Sequence, residues 1–233
     1  MAAVSDKTPS GWILAIDSST AAAGVALTDG VRWAELNWTA GRDQTVTLLD
    51  QIDRMLGLMG QTTGDLAAIA IATGPGMFSG LRVGMGVAKG LVLGADIPLI
   101  GVSTLEATAL PFAVTPAPVA ATVSAGRGRL VWAIYRADET GHLSTLSPPQ
   151  NGTPETLVAE LARYPDGVIV CGELTPAQAD AMRVVPAVSL PVEGVRTRRA
   201  LAVAEIALRR LERGETDDAV ALEPVYLHAR SGA

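Results

Sequence analysis

The sequence predicts an α/β protein in which one unit, three strands followed by alternating helices and strands (βββαβαβα), occurs twice, each copy on its own mixed sheet. Three observations lead there. The first half opens on short apolar segments joined by turns, two of them with period-two alternation. Buried apolar runs then alternate with segments whose apolar residues fall three and four apart. The same order returns, shorter and less regular, from residue 118 onward. With 233 residues, 48% of them hydrophobic and 18% charged, the chain has ample material for a core.

Each element has its own justification. WILAID (12–17) is an apolar strand ending on Asp17, and a Ser18-Ser19-Thr20 turn follows. GVALTD (24–29) and VRWAELNW (31–38) alternate, and such short connections make the three strands an antiparallel meander. RDQTVTLLDQIDRMLGLM (42–59) sets Val46, Leu48, Leu49, Ile52, Met55, Leu56 and Met59 on one helical face. LAAIAIA (66–72) is a buried strand, GLRVGMGVAKGLVLGA (80–95) a glycine-rich helix and PLIGV (98–102) another buried strand. STLEATALPF (103–112) opens with Ser103 and carries Glu106 three residues on, the pattern of a capping box. In the second half, PVAATVS (118–124), RLVWAIYRA (129–137) and the weaker GHLSTLSP (141–148) are strands. PETLVAELARY (154–164) is a helix with Thr153 as cap and Pro154 at its first position. GVIVCG (167–172) is a strand, TPAQADAMR (175–183) a short helix and VVPAVSLP a short strand. RTRRALAVAEIALRRLERG (196–214) closes the series as a helix ended by Gly214. The expected organisation is a loose tail at 1–10, a first unit at 11–102 carrying the partner-binding helices, and a second, smaller unit at 103–195. Residues 196–233 are expected to pack back on the first unit.

Composition narrows the function. The polar start MAAVSDKTPSG lacks the basic and apolar regions of a signal peptide, and no apolar run reaches membrane-spanning length. The single cysteine, Cys171 in VIVCG, reads as a buried strand residue. These features together predict a cytoplasmic protein. A net charge of −6 disfavours unaided nucleic-acid binding. The arginines at 196, 198, 199, 209 and 210 share a helical segment with Glu205 and Glu212 and read as a solvated face. Two histidines, His142 and His228, have no ligand spacing between them, so no metal site is expected. No serine–histidine or cysteine–histidine pattern and no GxSxG elbow is present.

The stretch GPGMFSGLRVGMGVAKGLVLGAD (74–96) is the most unusual, with glycine at 74, 76, 80, 84, 86, 90 and 94. Each glycine inside a helix costs about 1 kcal/mol relative to alanine. A Walker loop fails because Ser79-Gly80-Leu81 stands where Gly-Lys-Ser/Thr is needed. A dinucleotide fingerprint fails because the next strand ends Gly101-Val102-Ser103, without an acid for a ribose. On the helix, Gly80, Gly84 and Ala88 form one small-residue stripe, and Gly86, Gly90 and Gly94 a second, roughly 120° away at about 100° per residue. Such stripes admit close backbones, either all within the chain or partly against a partner. Asp17 with Ser18, Ser19 and Thr20 suits a phosphate or Mg²⁺ site, but the matching turn of the second half, Ser124–Gly128, has no carboxylate.

ILAIDSST, ATGPGMFSGLRVGMGVAKGL, PLIGVSTL and the tail EPVYL closely resemble the bacterial TsaB (YeaZ) family. The match is nearly continuous in the first half and patchy in the second. It rests chiefly on Gly74-Pro75-Gly76-Met77-Phe78-Ser79-Gly80-Leu81-Arg82-Val83-Gly84 and Pro224-Val225-Tyr226-Leu227. The resemblance implies two RNase-H-like subdomains, as in actin, Hsp70 and the sugar kinases. It also implies a non-catalytic relative of TsaD, the subunit that transfers threonylcarbamoyl to the tRNA adenosine beside the anticodon. TsaD carries a His-x-x-x-His metal pair on its first helix, and 42–59 here contains no histidine. The family pairs with TsaD through the first two helices, with TsaE joining the pair and tRNA reached only through the complex. Alone, its members self-associate as homodimers. No cofactor of its own is implied, although ATP, ADP or Mg²⁺ can enter with TsaD and TsaE. The implied interface is Leu49, Ile52, Gly84, Val87, Ala88 and Leu91; on this basis Gly84→Leu is expected to block pairing and leave the monomer folded. Gly74, Pro75, Gly76, Gly80 and Arg82 form the structural loop, and a residual nucleotide role falls to Asp17, Ser18, Ser19 and Thr20. Departures from the family pattern, Arg42-Asp43-Gln44-Thr45 and Ser124-Ala125-Gly126, weigh against any nucleotide or metal role. The competing expectation is a stand-alone ATPase or sugar-kinase-like enzyme using Asp17.

Overall fold

The computed structural model describes residues 11–40 and 44–227. The first half contains β1 (Trp12–Asp17), β2 (Ala22–Thr28), β3 (Trp33–Thr39), α1 (Gln44–Leu58), β4 (Leu66–Gly74), α2 (Phe78–Ala95) and β5 (Leu99–Ser103). Its sheet runs β3-β2-β1-β4-β5, antiparallel between the first three strands and parallel from β1 to β4 to β5. The parallel pairs need crossovers, which α1 and α2 supply. After α3 (Thr104–Ala109), the second half follows as β6 (Val119–Ser124), β7 (Leu130–Ala137), β8 (Leu143–Gly152), α4 (Pro154–Leu161), β9 (Val168–Gly172), α5 (Pro176–Arg183) and β10 (Val188–Ser189). Its sheet runs β8-β7-β6-β9-β10, with the same directions. Strand for strand this is the order of the first sheet, so the chain consists of two RNase-H-like subdomains. The helices α6 (Glu193–Arg196) and α7 (Ala200–Glu212) complete it.

The apolar runs reflect strands covered on both faces. Leu14 and Ile16 of β1 face a core with Leu48, Ile52 and Met55 of α1 and Met85, Ala88 and Val92 of α2. Ile13 and Ala15, one residue out of phase, face the opposite side with Val203, Ala204 and Ala207 of α7. That side is rich in alanine (Ala26, Ala68, Ala70, Ala72), which lets α7 lie close to the sheet. The second sheet repeats the plan. Trp132, Ile134 and Val170 meet α4 and α5, while Ala121, Ala133 and the fully buried Cys171 meet α3. Burial pushes the Cys171 thiol well above its ordinary range. Among the described residues, no helix is long and apolar enough to cross a membrane.

Three elements differ from the sequence reading. The helix expected at 196–214 breaks, with α6 ending at Arg196 and α7 starting at Ala200. The arginines between them are not a solvated face: Arg196 and Arg198 are buried. Glu35 of β3 explains the restart, because its carboxylate accepts from Leu201 N (3.0 Å) and Arg199 Nε (2.6 Å) at the positive end of α7. The third strand of the second half runs on to Gly152, past Pro148 and Pro149, which its edge position tolerates. The capping box of α3 is half made. Ser103 Oγ accepts from Glu106 N at 3.5 Å, but the Glu106 side chain does not return the bond.

Burial instead raises Glu106 above the ordinary carboxylate range, and the charges of Arg210, His142 and Arg213 offset this only in part. The same burial, with Glu106 nearby, pushes the Tyr135 hydroxyl up to about 12. A carboxyl raised on folding binds protons more readily in the native than in the unfolded chain. Its contribution is therefore fully favourable below the ordinary glutamate range and is lost as pH rises through the raised value. Glu106→Gln should accordingly raise Tm at pH 7, and the gain should vanish in scans at pH 4. An equal Tm difference at both pH values would contradict this.

Candidate functional site

Asp17 ends β1, the central strand of the first sheet, and Glu173 follows β9, the neighbour of the central strand β6 in the second, so each subdomain delivers a carboxylate to the cleft between them. Arg198, fully enclosed, takes both. Its Nε pairs with Asp17 Oδ2, and its Nη2 reaches Asp17 Oδ1 (3.3 Å), Thr20 Oγ1 (3.1 Å) and Ala22 O (3.3 Å). Its Nη1 lies 3.7 Å from Glu173 Oε1 and makes no hydrogen bond. Thr20 Oγ1 donates to Glu173. Burial opposes the Arg198 charge, yet the carboxylates of Asp17 and Glu173 outweigh it and hold the guanidinium above its ordinary value.

This arrangement weighs against the nucleotide expectation for Asp17, Ser18, Ser19 and Thr20. Ser18 Oγ donates to Gly80 O (2.8 Å), and Ser19 Oγ and N both donate to Asp17 Oδ1 (2.6 and 3.0 Å). Met77 N donates to Ser19 O at 2.6 Å, and a Cβ on Gly76 would sit 2.2 Å from the same oxygen. The turn is thus packed under the Gly74–Gly80 loop, with its carboxylate neutralised from within and its hydroxyls already engaged. Gly76 lets the loop touch the turn backbone. Among the described residues, no cluster of histidine, cysteine, aspartate or glutamate is placed to hold a metal.

The two glycine stripes of α2 face different ways. Gly84 and Ala88 are buried, and a Cβ on Gly84 would lie 2.1 Å from Ser18 Oγ and 3.1 Å from Ile71 Cδ1. Ile52 is likewise buried under α1. These three are taken up by packing within the chain, which weighs against the interface expectation at Ile52, Gly84 and Ala88. Leu49 is half exposed, and Val87 and Leu91 are partly buried. The second stripe points out: a Cβ on Gly86, Gly90 or Gly94 would meet nothing within 4 Å. Gly90, Leu91 and Gly94 line a surface groove of about 380 Å³ with Thr63, Gly64, Leu66 and Ile97. Exposed Leu93 stands on the same helix. Further along, Phe78 meets Tyr226 (centroids 5.1 Å apart), and Arg82 lies 4.1 Å over the Phe78 ring.

The comparisons with known proteins agree with this architecture. The family model of TsaD, tRNA N6-adenosine threonylcarbamoyltransferase, matches residues 38–147. The tRNA threonylcarbamoyladenosine biosynthesis protein TsaB of Escherichia coli is 41% identical over 132 residues, 55% of this chain and 57% of that one. Its namesake in Bacillus subtilis is 31% identical over 140 residues, 60% and 61% of the two chains. YeaZ from Pseudomonas aeruginosa superposes with a TM-score of 0.75 at 25% identity, over 93% of this chain and all of that one. These matches support membership of the TsaB (YeaZ) family. It spans 57% and 61% of the lengths of the two curated TsaB proteins, whereas the structural match to YeaZ runs through both subdomains.

Sequence reading of this chain missed Arg198 and Glu173. A carboxylate closing an apolar strand needs a cation once buried, and that signal was present in WILAID. What the sequence lacked was a way to choose among its arginines.

Proposed function

We propose that this chain is a non-catalytic subunit of tRNA threonylcarbamoyladenosine biosynthesis that pairs with TsaD through the outer faces of α1 and α2. The observation that carries this reading is the sealed cleft. The carboxylate best placed for phosphate or Mg²⁺ chemistry, Asp17, is spent on Arg198 inside the protein. The same observation weighs against a stand-alone ATPase or kinase. The outward stripe Gly86, Gly90 and Gly94, with Leu49, Val87, Leu91 and Leu93 around it, is the docking face in this proposal. Glycines let a partner helix approach closely, and the leucines supply apolar area. The same face serves self-association when TsaD is absent. TsaE joins the pair, tRNA is engaged through the complex in the cytoplasm, and any ATP, ADP or Mg²⁺ belongs to the assembly.

The test is to mix the chain with TsaD from the same cell and follow mass by light scattering. A one-to-one complex replacing the separate species is the expected result. Absence of a complex, with and without ATP and Mg²⁺, would overturn the pairing. ATP turnover by the isolated chain that disappears in Asp17→Asn would overturn the non-catalytic assignment.

A further inference from the structure

The segment after α7 is held as an extended ligand is held. Asp217 pairs with Leu99 at the edge of the first sheet, and its Oδ2 accepts from Gly101 N at 2.7 Å. The chain then turns at Leu222, and Val225 N donates to Thr73 O at the end of β4 (2.7 Å). Tyr226 lies on Phe78, with Arg82 Nε 3.4 Å from its hydroxyl. Leu227 O accepts from Asn151 Nδ2 on β8, in the other subdomain, at 2.8 Å. The backbone beneath is shaped for this occupant. Gly74 has φ +111°, and a Cβ there would stand 2.7 Å from Val225 O; a Cβ on Gly101 would press on Leu222. Beside the tail a cavity of about 130 Å³ remains, lined by Gly76, Ser124, Asn151, Tyr226 and Leu227.

We infer that the mouth of the inter-subdomain cleft is a binding seat for an extended peptide of the form Pro-x-Tyr-Leu, which this chain fills in cis with Pro224–Leu227. The chemistry is that of strand addition: a main-chain donor meets the carbonyl of Thr73, an aromatic side chain finds a ring and a guanidinium, and an asparagine fixes the last carbonyl. Filled, the seat ties the first subdomain at Thr73 to the second at Asn151. Arg198 closes the cleft at its base and the tail closes it at its mouth. The inference is independent of the pairing with TsaD.

Val225→Pro in the full chain removes the tail N–H that Thr73 O accepts, and hydrogen exchange reads the consequence. Amides at 76–81 and 150–152 should exchange about tenfold faster, with the central strands of both sheets unchanged. A synthetic peptide of residues 219–227, added in excess, should restore their protection. Tyr226→Ala, which keeps the backbone bond, should give a smaller loss at the same amides and serves if the proline variant does not fold. Unchanged exchange in both variants would overturn the inference, as would loss of protection throughout both sheets or failure of the peptide to restore it. Protection in the wild-type chain that rises with protein concentration would place another copy's tail in the seat and overturn the cis assignment.

Discussion

Arg198→Ala should cost about 3–5 kcal/mol of stability, because it strands Asp17 as an unpaired buried charge. The Asp17 side chain is 3% exposed and that of Arg198 1%, so water cannot take over the missing contacts. Against a typical total of about 5–15 kcal/mol, this is a large share of what holds the chain together. For a chain of this size, thermal unfolding by circular dichroism should register a fall in Tm of about 6–20 °C. The double variant Asp17→Asn, Arg198→Met removes both charges and should recover most of the loss, since a neutral, well-packed pair often matches a buried ion pair. A single variant within about 1 kcal/mol of wild type would show that the pair is not the keystone its burial implies. The same assay bears on function. A ligand that binds the native state raises Tm by mass action. With Asp17 engaged by Arg198, Mg²⁺ and ATP together should leave the Tm of the isolated wild-type chain unchanged. A rise that is lost in Asp17→Asn would return the nucleotide reading to favour.

The sequence showed most where burial was two-sided. β1, β4, β6 and β9 read as strands because both of their faces are covered, so nearly every position is apolar. The repeat was visible for the same reason: each subdomain needs the same covered central strands, and their order survives divergence. Edges were harder. β8 carries LSTLSPPQNG, and β10 is two residues long, because an edge strand packs on one side only and tolerates proline and serine. Charges were hardest. An arginine in Arg-Thr-Arg-Arg looks alike whether it is solvated or sealed. The partner that decides between these for Arg198 is Asp17, at the far end of the chain. Glycine was ambiguous in the same manner. The sequence gives the two stripes of α2 and the angle between them, but which one lies on Ser18 and Ile71 depends on how the helix is rotated on its sheet.

That rotation makes Gly84→Leu and Gly90→Leu opposite experiments. At 84, the new side chain must displace Ser18 Oγ, 2.1 Å from the Cβ position and donating to Gly80 O, and it must also push on Ile71. Overpacking costs about 1–3 kcal/mol, and the disrupted hydrogen bond adds about 1 kcal/mol. Gly84→Leu should therefore destabilise the monomer itself, with a Tm lower by roughly 4–16 °C, and any loss of pairing would follow from that damage. At 90, a Cβ meets nothing within 4 Å. Leucine there should leave the monomer as stable as wild type, or stabilise it by up to about 1 kcal/mol, because glycine is the poorer helix former. If a partner helix uses the outer stripe, the bulk should hold that helix off and abolish the one-to-one complex with TsaD in light scattering. A Gly84→Leu monomer that melts with wild type would put the inner packing of α2 in error. A Gly90→Leu chain that still binds TsaD at wild-type strength would remove the outer stripe from the interface. The first result concerns how the chain folds and the second what it docks to, and the two variants separate these because the stripes lie on different faces of one helix.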